Sequence, residues 1–247
     1  MENEIKELIA ISHAIGTHAD YVQGAGGNVS VKVDEKHMVI KASGVELSEI
    51  NRQSGLVVVD YRKINAFYTD VSGSNASEEA SDECIKASVV TRMGLDTIKP
   101  SMEAGFHVFL GKYVLHTHSV YINILACTKE GEQLLKTICK NAGIGMLWIP
   151  HGNPGLHLAL RMKKEIEEYR HIHKNIPEVI IIQNHGIVVN GPESTYVCAL
   201  HEKVQNVIKQ YSELEIPFPE IKITPRGNVF ESKTQYLKDI IKNNYAT

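Results

Sequence analysis

The chain lacks any apolar run of the roughly 20 residues that a membrane-spanning helix needs. It lacks an excess of either charge: 26 Lys and Arg stand against 29 Asp and Glu, a formal net charge of −3. That balance offers no general attraction to nucleic acid or to an anionic bilayer. Its four cysteines (Cys84, Cys127, Cys139 and Cys198) are scattered, with no C-x-x-C pair. They are expected to be reduced and mostly buried, not metal-ligating. The acidic, amphipathic start M-E-N-E-I-K-E-L-I-A is wrong for a secretory signal. Neither an internal repeat nor a low-complexity linker divides the sequence. These absences lead us to expect a cytoplasmic protein folded as one domain over residues 1–247, without membrane or nucleic-acid partners.

What is present suits a globular α/β protein. A hydrophobic share of 43% in 247 residues is enough chain to bury a sizeable core. Ile5, Leu8, Ile9, Ser12 and Ile15 recur at helical spacing in an N-terminal helix over residues 3–18. Short strands follow, the alternating V-S-V-K-V at 29–33 and apolar runs at 38–42 and 56–60, joined by connections too short for helical crossovers. That favours antiparallel or mixed pairing over a doubly wound sheet. Residues 71–77 (V-S-G-S-N-A-S) read as a loop and 78–93 as a helix. The later chain offers a short helix near 130–140, a strand at 146–149, an amphipathic helix from Leu156 to Tyr169, and a helix over 192–212.

The chemistry-bearing stretch runs from Pro100 to Val120 and ends in H-T-H. On a strand, residues i and i+2 share a face, so His116 and His118 project side by side. Neutral imidazoles in such a pair suit zinc and neighbouring transition metals. A catalytic zinc usually takes three protein ligands, so further donors are needed. Glu103 lies upstream, after Ser101, which suits a helix N-cap with a carboxylate in the first turn. Downstream, the apolar strand V-I-I-I-Q-N-H-G-I-V-V-N-G is interrupted at Asn184, His185 and Gly186 and then resumes. A bulge with a hydrogen-bonded histidine would explain the interruption alone. Beside H-T-H and a carboxylate, a third ligand explains it better. A second H-x-H, His171 and His173, sits in a charged run without a buried strand and is set aside.

Gln23–Lys32 (Q-G-A-G-G-N-V-S-V-K) is a glycine-rich turn opening into a strand. A Rossmann fingerprint needs the reverse order of elements, and a Walker A loop needs G-K-[ST]. Two readings remain: an anion cradle of backbone N–H groups with Asn28 and Ser30, or a turn that only needs positive φ.

As a set, G-G-N-V-S (26–30), K-A-S-G (41–44), P-S-M-E (100–103), H-T-H-S (116–119) and N-H-G (184–186) resemble the class II aldolase/adducin family. They stand in the family's order and near its spacing, over roughly residues 5–210. The resemblance implies a three-layer α/β/α fold around a mostly antiparallel sheet. It implies one zinc per subunit, or another divalent metal, on His116, His118 and His185. Glu103 would be a resting metal ligand and then the acid/base. Gly27, Asn28, Ser43, Gly44 and Ser101 would hold a substrate phosphate. It also implies a homo-oligomer, a tetramer in the characterised aldolases and epimerases. Residues 211–247 are an extension to which nothing transfers.

The activity so implied is a lyase of the aldolase type, cleaving a ketose phosphate or related sugar through a metal-stabilised enediolate. Epimerase, dehydratase or decarboxylase chemistry on a sugar phosphate or sugar acid could use the same groups. A non-catalytic adducin-like interaction domain is the alternative of another class, against which the full set of four metal-type ligands argues. Two positions depart from the family pattern. Ala25 or Gly26 stands where aldolases carry threonine, and Met102 stands where they carry a second serine. Both changes remove hydroxyls that would face phosphate, for which Lys41 could compensate as a point charge.

Overall fold

The computed structural model describes residues 1–71, 76–212, 223–226 and 229–232. The chain divides into two compact units, Met1–Glu213 and Leu214–Thr247. The first unit opens with helix α1 (Glu2–Gly16), then strands β1 (Asn28–Lys32), β2 (His37–Lys41) and β3 (Leu56–Asp60). Helices α2 (Tyr61–Asp70) and α3 (Glu78–Ala87) precede β4 (Val89–Met93), α4 (Ala104–His107) and β5 (Tyr113–Thr117). There follow α5 (Val120–Ala126), α6 (Gly131–Asn141), β6 (Met146–Ile149), α7 (Leu156–His173), β7 (Val179–Ile182), β8 (Gly186–Gly191) and α8 (Ser194–Ser212). The described part of the second unit is an antiparallel pair, β9 (Ile223–Arg226) and β10 (Val229–Ser232). Most of the extension from residue 213 onward, and residues 72–75 of the expected 71–77 loop, lie outside the described residues.

Eight strands form one sheet in the order β4-β3-β2-β1-β5-β8-β7-β6. All pairs are antiparallel except β6 with β7, so the sheet is mixed. The exception follows from α7, which carries the chain back to start β7 beside β6 in the same direction. Helices α2, α3, α4 and α7 cover one face with Ile64, Tyr68, Ile85, Phe106, Leu158 and Met162. Helices α1, α5, α6 and α8 lie on the other, giving three layers. Alternation along β5 serves both: Val114 joins the α4 side, and Leu115 faces the opposite way.

Two elements differ from the sequence expectation. The helix expected over 78–93 stops at Ala87, and Val89–Met93 is an edge strand. The Ser88 hydroxyl and amide turn back onto the Cys84 carbonyl and close the helix. The β-branched V-V-T run then pairs with β3, across a register shift between Val58 and Val59. The interrupted strand around His185 is a hairpin: β7 and β8 pair antiparallel, with Ile182 opposite Gly186. Asn184 takes φ 56°, a left-handed conformation that asparagine tolerates in a tight turn.

Candidate metal centre

The central strand β5 delivers His116, fully buried, with His118 just beyond its end. The β7–β8 turn brings His185 alongside. Asn123 Nδ2 holds the turn by donating to the His185 carbonyl at 3.0 Å. Gly186 is needed for close approach, since a Cβ there would stand 2.2 Å from the Thr117 carbonyl oxygen. The glycine-rich turn presses on the same strand from the other side. A Cβ at Gly26 would lie 3.0 Å from His118 Nδ1, and one at Gly27 2.9 Å from the His116 carbonyl oxygen. These two glycines make room for the histidines, whatever else the turn binds.

Glu103 stands at the start of α4. The N-cap position of this helix is Glu103 itself, not Ser101 as expected; the Ser101 hydroxyl, two residues earlier, accepts from the Glu103 amide at 3.2 Å. Asn28 Nδ2 donates to Glu103 Oε2 at 3.2 Å. That leaves Oε1 facing the histidines, 3.3 Å from His116 Nε2 and 3.5 Å from His185 Nε2. His116 Nε2 also lies 3.1 Å from His118 Nε2 and 3.2 Å from His185 Nε2.

Such crowding calls for a cation. His116 Nδ1 lies 2.9 Å from the Ile187 carbonyl, which can only accept, so Nδ1 carries the hydrogen. In the neutral ring, Nε2 is then a lone pair pointed at two more imidazole nitrogens and a carboxylate. Burial opposes a charge on His116, but the Glu103 carboxylate beside it raises its pKa. Burial likewise opposes ionisation of Glu103. The His116 charge, with hydrogen bonds from His116 and His185, nevertheless holds its carboxyl well below the usual range. Burial, and then the charges of His116 and His185, push His118 down to about 4. The one ligand atom offered by each of Glu103, His116, His118 and His185 lies within 4.8 Å of the others. Zinc at about 2.0–2.1 Å from each ligand would need tetrahedral edges of about 3.3–3.4 Å. Four of the six separations, His116 to His118, His185 and Glu103 and Glu103 to His185, are 3.1–3.5 Å and fit that figure. The cluster can hold a divalent metal.

Residues 6–212 match the class II aldolase and adducin N-terminal domain. The chain belongs to the class II aldolase/adducin family. A curated relative, the uncharacterized oxidoreductase YuxG of Bacillus subtilis, is 27% identical over 217 residues. That match takes in 83% of this chain but only 29% of the relative's length. The N-terminal class II aldolase domain of a conserved protein from Thermoplasma acidophilum superposes with TM-score 0.71 at 24% identity, covering 86% of this chain and 95% of that one. An L-fuculose 1-phosphate aldolase gives TM-score 0.59 at 20% identity, covering 89% and 92%. At these identities the structural likenesses speak for the fold.

The residues expected to hold a phosphate come from three segments that the fold ties together. Ala42 bridges Pro100, the Ser43 amide donates to the Lys99 carbonyl at 2.9 Å, and the Ser101 amide donates to the Lys41 carbonyl at 3.3 Å. Ser43 and Gly44 are exposed, whereas Gly27, Asn28 and Ser101 are buried. Asn28 and Ser101 have donors or acceptors committed to Glu103. Met102, 51% exposed, borders a cavity of about 270 Å³ whose wall includes Glu78, Asp82 and Ile85.

Several groups escaped the sequence reading. His107 does not bond the Glu103 side chain four residues away; its Nδ1 meets Ser30 Oγ at 2.7 Å. Behind the metal strand, Thr117 Oγ1 meets His201 Nε2 at 2.8 Å, and Gln205 links His201 to Ser119. This fully buried chain ties the turn after β5 to α8. The second H-x-H lies on α7, where His171 and His173 are exposed, as expected of a solvated face.

Proposed function

We propose that this domain is a divalent-metal lyase of the class II aldolase type, with zinc held by His116, His118 and His185 and with Glu103 as a resting ligand. The substrate class is a ketose phosphate or related sugar. The single observation that carries the reading is the convergence of three imidazole Nε2 atoms and one carboxylate oxygen on one point. A bound divalent ion supplies Lewis-acid polarisation of a substrate carbonyl. The chain's own residues supply the rest. Glu103, ionised and held at Oε2 by Asn28, takes or returns a proton at its Oε1. The exposed turn at Ser43 and Gly44, with Gly27, Asn28 and Ser101, receives the anionic end of the substrate. Reacting carbons would then lie between the two subsites.

The experiment is a screen of ketose phosphates and their unphosphorylated analogues against zinc-loaded protein, with products identified by mass and chromatography. Two carbonyl-bearing fragments are expected, absent from the His116→Ala/His118→Ala/His185→Ala variant, which should bind no stoichiometric metal by elemental analysis. An unchanged mass with altered stereochemistry would replace cleavage by epimerisation. A folded triple variant that keeps full metal would remove the assigned site.

A further inference from the structure

Four polar side chains meet behind the metal strand, shut off from solvent. Thr117, Ser119 and His201 are fully buried, and Gln205 is 2% exposed. Thr117 Oγ1 meets His201 Nε2 at 2.8 Å, and the Ser119 hydroxyl donates to Gln205 Oε1 at 2.5 Å. Gln205 Nε2 stands 3.2 Å from His201 Nε2 and closes the chain. His201 and Gln205 lie one turn apart on α8 and so share a face. Thr117 and Ser119 are the two neighbours of His118. Alternation turns their side chains toward α8, away from the face that carries His116 and His118.

Docking of α8 does not require this chain, because Val197, Val204 and Ile208 already bury its apolar face. Buried polar groups cost stability unless they are hydrogen-bonded, and once satisfied they fix direction, which apolar contact does not. Direction is what His118 lacks. His116 sits within β5, paired on both sides, and its Nδ1 lies on the Ile187 carbonyl at 2.9 Å. His185 is held at its carbonyl by Asn123. His118 follows the last residue of β5, outside the ladder. The bonds of its two neighbours to α8 take the place of that ladder.

We propose that His201 and Gln205 are positioning residues for the metal centre: through Thr117 and Ser119 they fix the main chain on both sides of His118 and so aim its imidazole at the point where His116 and His185 converge. The proposal rests on the reading of that cluster as a metal centre. It gives α8, which contributes no ligand to the cluster, a part in holding the ion.

The test uses metal-stripped full-length protein. Zinc affinity is measured by competition with a chelator, and cobalt(II) is bound as a probe whose visible absorption follows coordination geometry. The variants are Thr117→Val and Gln205→Met, which remove the hydrogen bonds, and Thr117→Ser, which keeps the hydroxyl. Removing a residue that orients a ligand lowers metal affinity about 10- to 100-fold. Acting through the main chain, Thr117→Val and Gln205→Met should each weaken zinc about tenfold and alter the cobalt spectrum, while Thr117→Ser keeps both. In a His118→Ala background the same substitutions should bring no further loss, since they act through that ring. Equal further loss there overturns the assignment to His118. Wild-type zinc affinity and cobalt spectrum in Thr117→Val and Gln205→Met, with only urea stability lowered, makes the chain a packing device and overturns the proposal. Absence of metal binding by wild type overturns the metal centre and the proposal together. Should Gln205→Met fail to fold, Thr117→Val decides alone by the same outcomes.

Discussion

Asn28 Nδ2 donates to Glu103 Oε2 at 3.2 Å, across 75 residues of sequence, and Asn28 itself sits opposite His116 in the β1–β5 ladder. One strand pairing therefore fixes both a metal-ligand candidate and the group that orients the carboxylate. A hydrogen bond to a charged acceptor contributes about 1.5–3 kcal/mol. We predict that Asn28→Ala keeps its metal and loses turnover by about ten- to a hundredfold, measured as kcat on the substrate found in the screen. Unchanged kcat would make the contact incidental.

Glu103→Gln tests the proton-transfer step itself. The amide keeps the size of the side chain and can still occupy the place beside Asn28, but it cannot accept a proton. Loss of general acid–base catalysis costs about 10²- to 10⁴-fold. The expected result is a folded protein that retains metal on three histidines and loses turnover by that order. Near-normal kcat in metal-replete variant would make Glu103 a structural residue.

Gly186 and Gly24 make a matched pair for stability. A Cβ at Gly186 meets backbone at 2.2 Å, whereas one at Gly24 meets nothing within 4 Å and pays only for its φ of +53°. Urea denaturation should show Gly186→Ala destabilised by about 3 kcal/mol or more and Gly24→Ala by about 1 kcal/mol. Equal losses would show that the approach to Thr117 relaxes easily.

Two buried histidines set the acid limb of stability. Burial pushes both His107 and His201 down to about 3 from an ordinary 6.5, aided at His201 by the charge of His18. Between those values the unfolded chain binds protons that the folded chain refuses. Their contribution is present above pH 6.5 and is lost as pH falls toward 3, with a slope of up to about 1.4 kcal/mol per pH unit for each. Metal-stripped wild type, followed by urea midpoints from pH 7 to 4, should lose stability more steeply than His107→Gln/His201→Gln. Parallel slopes would locate the acid sensitivity elsewhere.

The legible part of the site was local. His116 and His118 share a face because a strand alternates, and the rings stand with centroids 4.9 Å apart. The Ser101 hydroxyl meets the Glu103 amide two residues on, a bond local enough to be expected, although the N-cap position itself falls on Glu103. β3 and β6 were legible as short apolar runs bounded by turn residues. The failures came where two local signals compete or where partners are distant. Residues 78–93 have helical character up to Ala87, and only pairing with β3 decides for strand after Ser88. The polar break at His185 read as an interruption within one strand, not as the turn of a hairpin, because pairing cannot be seen in one segment alone. Lys41 gave a charge but no geometry, since its bonds reach back to Ala25. Nothing near Thr117 in sequence announced His201, 84 residues later.

The hairpin that carries His185 lies 69 residues beyond His116. At about 5–20 residues per second of synthesis, a nascent chain presents a two-histidine half-site for about 3–14 s before the third imidazole exists. During that interval β5 also has only β1 beside it, because β8 has yet to be made. The order of translation thus makes completion of the sheet centre and completion of the ligand set the same event. On the proposed ligand set, an ion caught earlier would have Glu103, His116 and His118 around it on a strand with an open edge, and His185 would close the set only when the hairpin pairs.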